Sequence, residues 1–149
     1  MNYYEAEPND TLFARLIALS ADWEREDSCR GYRENTEEDL RGRRILVAEE
    51  DGEIVGYLFG LTQQAEQGST VMDAGTAYFE LEELYVIPSR RSQGIGRRLF
   101  ALAEQAARAE GITHLLLSTA TKDWKAVLHF YIEELGMDFW SARLFKKLD

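Results

Sequence analysis

The sequence predicts a single α/β domain, residues 1–149, in which a mixed sheet is flanked by helices. Three observations carry that prediction. Helical and extended hydrophobic patterns follow one another in the order β-α-α-β-β-β-α-β-α-β. Asp51-Gly52 separates two apolar runs as a hairpin turn, which makes the middle of the chain antiparallel. A strand, a helix and a second strand then follow over residues 77–119, the pattern of a crossover connection. This order matches neither an alternating dinucleotide-binding fold nor a barrel.

Each element has its own signal. Tyr3–Glu7 reads as a short strand ended by Pro8. Asn9 or Asp10 caps a helix through TLFARLIALSADWERE, with Leu12, Leu16 and Leu19 on one face. Asn35 or Thr36 caps a short helix over Glu37–Arg41. RILVAEE and EIVGYLFGLTQ form the hairpin around Asp51-Gly52. Gln64 to Ala77 is a polar loop, long for a compact domain. AYFELEELYVIP is a strand stopped by Pro88. In GIGRRLFALAEQAARAEG, Ile95, Leu99, Leu102, Ala106 and Ala109 recur at helical spacing, and Gly111 ends the helix. THLLLST reads as a buried strand, DWKAVLHFYIEEL as an amphipathic helix stopped by Gly136, and MDFWSARLFKKL as a last strand.

Composition narrows the function classes. Acids outnumber bases 27 to 17, for a net charge of -10. Such a surface repels nucleic acid and attracts cations, protonated amines among them; it also serves plain solubility. No apolar run reaches the ~20 residues of a membrane span. The first ten residues, MNYYEAEPND, have neither the basic nor the apolar stretch of a secretion signal, and Cys29 is the only cysteine. The expectation is a cytoplasmic protein that binds neither membrane nor nucleic acid. His114 and His129 stand alone, so no metal is expected.

One stretch inverts the local charge. RRSQGIGRRLF, Arg90 to Phe100, holds four arginines and two glycines, with no acid anywhere from residue 88 to 103. It lies between a strand and a helix. Amide groups at a helix start lack intrahelical partners and carry the positive end of the helix dipole, while glycine lets a ligand come close. This is a phosphate site by construction. Leu99 stands where a third glycine of a dinucleotide motif belongs, and no Walker lysine follows. Arg91-x-x-Gly94-x-Gly96, five residues beyond Val86, is the more specific pattern.

LYVIPSRRSQGIGRRL resembles the signature of the GNAT superfamily of acetyl-CoA-dependent N-acetyltransferases, Arg/Gln-x-x-Gly-x-Gly/Ala after a strand ending Val-x-Pro. The resemblance extends along the element order and is strongest over residues 80–137. It implies a central, mostly antiparallel sheet with a parallel strand–helix–strand core and flanking helices. It implies acetyl-CoA as cosubstrate, held by Arg91, Ser92, Gln93, Gly94, Ile95, Gly96 and Arg97. It also implies a splayed strand pair exposing backbone at Leu84, Tyr85 and Val86, which would hold the thioester and the pantetheine arm. Homodimers are common in that family, and a homodimer is expected here.

The acids of FELEELYV have two readings. They form a solvent-facing edge, or they attract an ammonium and take its proton, since only a neutral amine attacks a thioester. By the resemblance, Glu82 is favoured as base, Glu80 is its rival, and Glu83 is a substrate-binding acid. Both Glu80 and Glu82 point to one side unless a bulge intervenes. Tyr131 lies in the stripe Trp124, Val127, Leu128, Tyr131 and Leu135, either as a core residue or as the proton donor to the leaving thiolate. The family motif Asn-x-x-Ala-x-x-x-Tyr corresponds here to Asp123-Trp124-Lys125-Ala126 and then Phe130-Tyr131. Tyr131 needs one extra residue, which a local helix bulge supplies. Asp123 and Trp124 are then coenzyme contacts. The expected activity is acetyl transfer to a small cationic amine, such as a polyamine, an aminoglycoside or a lysine side chain, with peptide N-termini also open. The alternatives are a non-catalytic acyl-CoA-binding module of the same fold and a binder of another nucleotide phosphate.

Overall fold

A computed structural model describes residues 1–149 and has the expected mixed architecture. The elements are β1 (Asn2–Glu5), α1 (Asp10–Glu26), α2 (Glu37–Leu40), β2 (Arg44–Glu50), β3 (Glu53–Gln64), β4 (Ala77–Val86), α3 (Ile95–Ala109), β5 (His114–Leu116) and α4 (Trp124–Leu128). The five strands form one sheet in chain order. β1 to β4 pair antiparallel, and β5 lies parallel to β4. No helix is long and apolar enough to cross a membrane.

Local chemistry sets the boundaries. The Asn9 side chain accepts the Leu12 amide at 2.8 Å and starts α1. The Thr36 amide donates to the Asp39 carboxylate at 2.8 Å, holding the first turn of α2. Asp51 and Gly52 both adopt positive φ, 51° and 81°, the backbone that a two-residue hairpin between twisted strands requires. In β2, Ile45 to Ala48 are all buried, because both faces of the sheet are covered. On one face Leu46, Leu58, Phe79 and Leu81 pack against Ile95, Leu99, Phe100 and Ala103 of α3. On the other, Ile45, Val47, Tyr57, Phe59 and Tyr85 pack against Leu12, Phe13 and Leu16 of α1 and Leu40 of α2.

Four expectations are corrected in detail. The buried stripe of α3 is Ile95, Leu99, Phe100, Ala103 and Ala107, so Ala109 is exposed: the helix turns its Phe100 side inward. β5 is only three residues long. α4 ends at Leu128 and continues as a π-helical turn, His129–Glu134. Residues 137–148 form no strand. The Met137 amide is held by the Tyr131 carbonyl at 2.9 Å, and beyond it the backbone meets no sheet edge. A strand without a partner has nothing to bond its amides.

Candidate functional site

The site lies where β4 parts from β5. The two strands pair only at Tyr78–His114, Phe79–Leu115 and Glu80–Leu116. The Ile87 amide bonds to the Val55 carbonyl at 2.9 Å, toward β3. Strand alternation therefore turns the backbone groups of Leu84 and Val86 the other way, into the gap. The Val86 carbonyl there accepts Arg91 Nε at 2.8 Å. Tyr85 differs from its neighbours: its backbone belongs to the β3 ladder, and its hydroxyl donates to Glu26 at 2.7 Å. That partner, with burial, raises its pKa; burial is the larger cause.

The glycine turn sits at the end of this gap. Pro88–Arg90 form a 3-10 turn, Ser92 and Gly94 take positive φ of 59° and 82°, and α3 begins at Ile95. Arg98 makes the first intrahelical bond, to the Gly94 carbonyl at 3.0 Å. The amides of Ser92, Gln93, Gly94, Ile95, Gly96 and Arg97 have no acceptor within the chain. Six consecutive donors thus surround one helix start. Three of the four arginines flanking them are tied elsewhere. Arg91 grips Glu26 at 2.8 Å and lies over the Tyr85 ring, and Arg90 pairs with Glu50 at 2.7 Å. Arg97 reaches Glu134 at 3.6 Å. Arg98 forms no ion pair and lies 5.7 Å over the Tyr3 ring, so the backbone and this one guanidinium remain available. At Gly96 a Cβ would stand 3.2 Å from the Phe130 ring, so glycine lets that ring close over the turn.

A bulge sorts the acids of β4. Phe59 pairs with Glu83 and Gly60 with Leu81, leaving Glu82 without a partner residue. Glu82 is exposed and bound through both oxygens by Arg43, at 2.8 and 3.1 Å. Glu80 accepts Gln63 Nε2 at 2.6 Å. The bulge rotates Glu83 away from the Leu81 face and onto the α1 face. There one carboxylate oxygen accepts the Tyr57 hydroxyl at 2.9 Å, Asn35 Nδ2 at 2.9 Å and the Tyr32 hydroxyl at 3.2 Å. Burial raises the Glu83 pKa, and these three donors only partly offset it. Trp23, Tyr32, Tyr57 and Tyr85 form an aromatic wall beside it, with ring centroids 4.3 to 5.8 Å apart. Sequence reasoning named Glu83 as a substrate-binding acid and Asn35 only as a helix cap, and named neither Tyr57 nor Tyr32. For Tyr57 a hydroxyl inside the apolar run Ile54–Phe59 was the available signal; Tyr32 and Asn35 lie among charged residues and gave none.

Tyr131 packs on the α3 face against Phe100 and Phe130, with centroids 6.3 and 5.1 Å away. The Leu135 amide reaches back five residues to the Phe130 carbonyl at 3.0 Å. That π turn accommodates the extra residue in the Asp123-to-Tyr131 spacing. Burial, with a smaller effect of Cys29 nearby, lifts the Tyr131 phenol to about 12, so it stays protonated. Asp123 caps α4 by accepting the Ala126 amide at 3.3 Å, and Trp124 is 59% exposed. The Arg30 backbone amide donates to the Ala120 carbonyl and the Lys122 backbone amide to that of Ser28, both at 2.9 Å. This joins the α1–α2 loop to the loop after β5. No group of three or more His, Cys, Asp or Glu is gathered to hold a metal.

Known proteins share the family and the fold of this chain. The model of the acetyltransferase (GNAT) family matches residues 12–137. An IAA acetyltransferase of Azospirillum brasilense is 37% identical over 76 residues, 51% of this chain and 43% of that protein. The uncharacterized N-acetyltransferase YhfO of Bacillus subtilis (strain 168) is 35% identical over 82 residues, 55% of this chain and 51% of that protein. The aligned stretch thus spans about half the length of these curated relatives. Among solved structures, an aminoglycoside acetyltransferase from an uncultured soil metagenomic sample, in complex with sisomicin, superposes with a TM-score of 0.70. Its identity is 19%, and 99% of this chain and 96% of that one are covered. Aminoglycoside N-acetyltransferase AAC(6')-Iy in complex with CoA gives 0.70 at 17% identity, with 99% of each chain covered. At these identities the likeness is one of fold.

Proposed function

Because the chain belongs to the GNAT acetyltransferase family, we propose that it is an N-acetyltransferase that moves an acetyl group from acetyl-CoA to the amine of a small cationic acceptor. The observation that supports this best is the run of six unbonded amides, Ser92 to Arg97, at the end of a gap between β4 and β5. A diphosphate matches such a cradle in charge and in donor count. The gap gives the acyl arm a passage between the two faces of the sheet. Backbone amides of Leu84 and Val86 hold the thioester carbonyl and polarise it. The α1 face receives the acceptor amine.

Glu83 is the base in this reading, in place of Glu82 and Glu80. Glu82 is already neutralised by Arg43, and Glu80 is bonded to Gln63. Glu83 keeps one carboxylate oxygen unbonded and, through burial, a raised proton affinity. It takes the ammonium proton through water, and the freed nitrogen attacks the thioester carbon; as the C–S bond breaks Tyr131 gives its proton to the departing sulfur, and the proton the acylated nitrogen sheds restores the phenol. Most of the acceleration comes from holding two reactants in line. The net charge of -10 favours a cation as acceptor, and the aromatic wall gives its carbon chain a surface to lie on. The acting form is proposed to be a cytoplasmic homodimer.

An amine panel with thiol release as readout, run with and without acetyl-CoA, tests the reading. Tyr131→Phe is expected to lower kcat by ~100-fold, within the range of general acid catalysis, and to leave acetyl-CoA binding by calorimetry unchanged. Wild-type protein that binds acetyl-CoA but turns over no amine would make it a binding module instead. Preference for ATP or NAD over acetyl-CoA in parallel titrations would sink the assignment.

A further inference from the structure

Three donors meet on a single oxygen of Glu83, Oε2, and none on Oε1. Two of them are hydroxyls, from Tyr57 of β3 and Tyr32 of the α1–α2 loop. A hydroxyl turns to donate or to accept as its neighbour requires. The third donor is different. Asn35 Nδ2, 2.9 Å away, is an amide nitrogen, which only donates. Asn35 is also anchored from α1. It is 7% exposed, and its backbone amide donates to Ser20 Oγ at 2.9 Å. Ser20 is fully buried, and its hydroxyl donates to the Ile17 carbonyl at 2.8 Å. A run of bonds thus leads from the body of α1 to the carboxylate. Glu83 itself forms no ion pair. The charged group that bears on it from α2 is Asp39, which adds a small opposition to ionisation, and Arg43 is held by Glu82.

We propose that Asn35 is a positioning residue of the reaction: by holding Oε2 as a hydrogen-bond acceptor, it leaves Oε1 as the one oxygen of Glu83 that takes the proton of the amine. This rests on the reading of Glu83 as base. A protonated carboxyl has one carbonyl oxygen, which accepts, and one hydroxyl oxygen, which donates. A proton on Oε2 would set an O–H against the Asn35 N–H. The two tyrosine hydroxyls turn to suit such a change; the amide nitrogen has no lone pair to offer. Two donors would then face each other in a buried place, where an unmade bond costs most. A proton on Oε1 leaves all three bonds standing. Glu83 therefore changes charge without releasing Tyr32 and Asn35, and the α1–α2 loop stays in place through the proton transfer. Asn35 acts on the amine only through Glu83.

The test compares Asn35→Ala and Asn35→Asp with wild type, and Asn35→Ala again in a Glu83→Gln background. Turnover of the best amine of the panel is followed across about pH 5 to 9. The Glu83 carboxyl is titrated by carbon-13 NMR, its signal identified by its loss in Glu83→Gln. Asn35→Ala removes a donor from the ionised form. It is expected to lower kcat about 10-fold and to move both the acid limb and the NMR midpoint upward. Asn35→Asp puts an acceptor and a like charge where the donor stood, and is expected to lower kcat further and to move the limb further up. Without Glu83, Asn35→Ala is expected to change kcat by less than about twofold, because nothing remains for it to position. Tyr57→Phe takes a second donor from Oε2 with little change of shape, and its midpoint is expected to rise as well; an unmoved one overturns the hold on Oε2 even if the Asn35 variants fail to fold. An unmoved midpoint in Asn35→Ala makes that residue merely structural. So does an equal loss of kcat with and without Glu83. Either outcome overturns the positioning role and leaves Glu83 as base. Wild-type turnover in Glu83→Gln, or no turnover of any amine by wild type, overturns the base and the positioning role together.

Discussion

Glu83 is held where ionisation is disfavoured, and that position makes two predictions about one side chain. Under the proposed function its raised pKa is expected to move the acid limb of the rate profile above the ordinary glutamate value near 4.3, since a base must be unprotonated to act. Glu83→Gln is expected to lower kcat by ~100-fold or more and to abolish that limb; steady-state rates from pH 5 to 9 check it. Glu82→Gln and Glu80→Gln are the controls, each expected within a few-fold of wild type. Stability runs in the opposite direction. A carboxyl with a raised folded-state pKa contributes stability that is present below ~4.3 and lost as pH rises through the raised value. Glu83→Gln is therefore expected to equal or exceed wild type in urea denaturation at pH 7.5, with the gap closing as pH falls toward 4. FELEELYV made three acids legible as candidates. Which one turns inward was not legible from their spacing, because it depends on a residue in another strand.

That residue is Gly60, and its effect belongs to the element. A Cβ at Gly60 would stand 2.1 Å from the Glu80 carbonyl oxygen and 2.8 Å from the Phe79 ring. The close approach of β3 to β4 is what lets Glu82 bulge and Glu83 rotate. Gly60→Ala is expected to destabilise the fold by about 2–3 kcal/mol and to reduce turnover with it; urea denaturation and kcat measured on one preparation check this. A stable, fully active variant would mean that the bulge has another cause. Helix ends and the hairpin were legible, because Asn9, Thr36 and Asp51-Gly52 act on their own backbone. The gap between β4 and β5 and the π turn before Gly136 were not readable from periodicity. Phe130 and Tyr131 pack against α3 beside them, and only the family resemblance pointed to them. Residues 137–148 carried a strand pattern, yet they lie along no strand of this sheet and so form none.

At the scale of the whole molecule, charge is the feature the sequence states most directly. With a net charge of -10, the protein draws cations to its surface over a Debye length of ~10 Å at 0.1 M salt. Raising ionic strength from about 20 to 200 mM is expected to raise KM severalfold for a polyamine and less for a monoamine, while kcat stays level. Equal responses for the two acceptors would remove global charge as a determinant of specificity. One consequence of the six unbonded amides reaches past recognition. A ligand that fills them binds the native state alone, so it adds ~2.7 kcal/mol of resistance to melting at a hundred times its dissociation constant. Under the proposed function, the cellular store of activated acetate would then set how long this protein survives heat and proteolysis, so that a starved cell would hold less of the enzyme as well as less of its fuel.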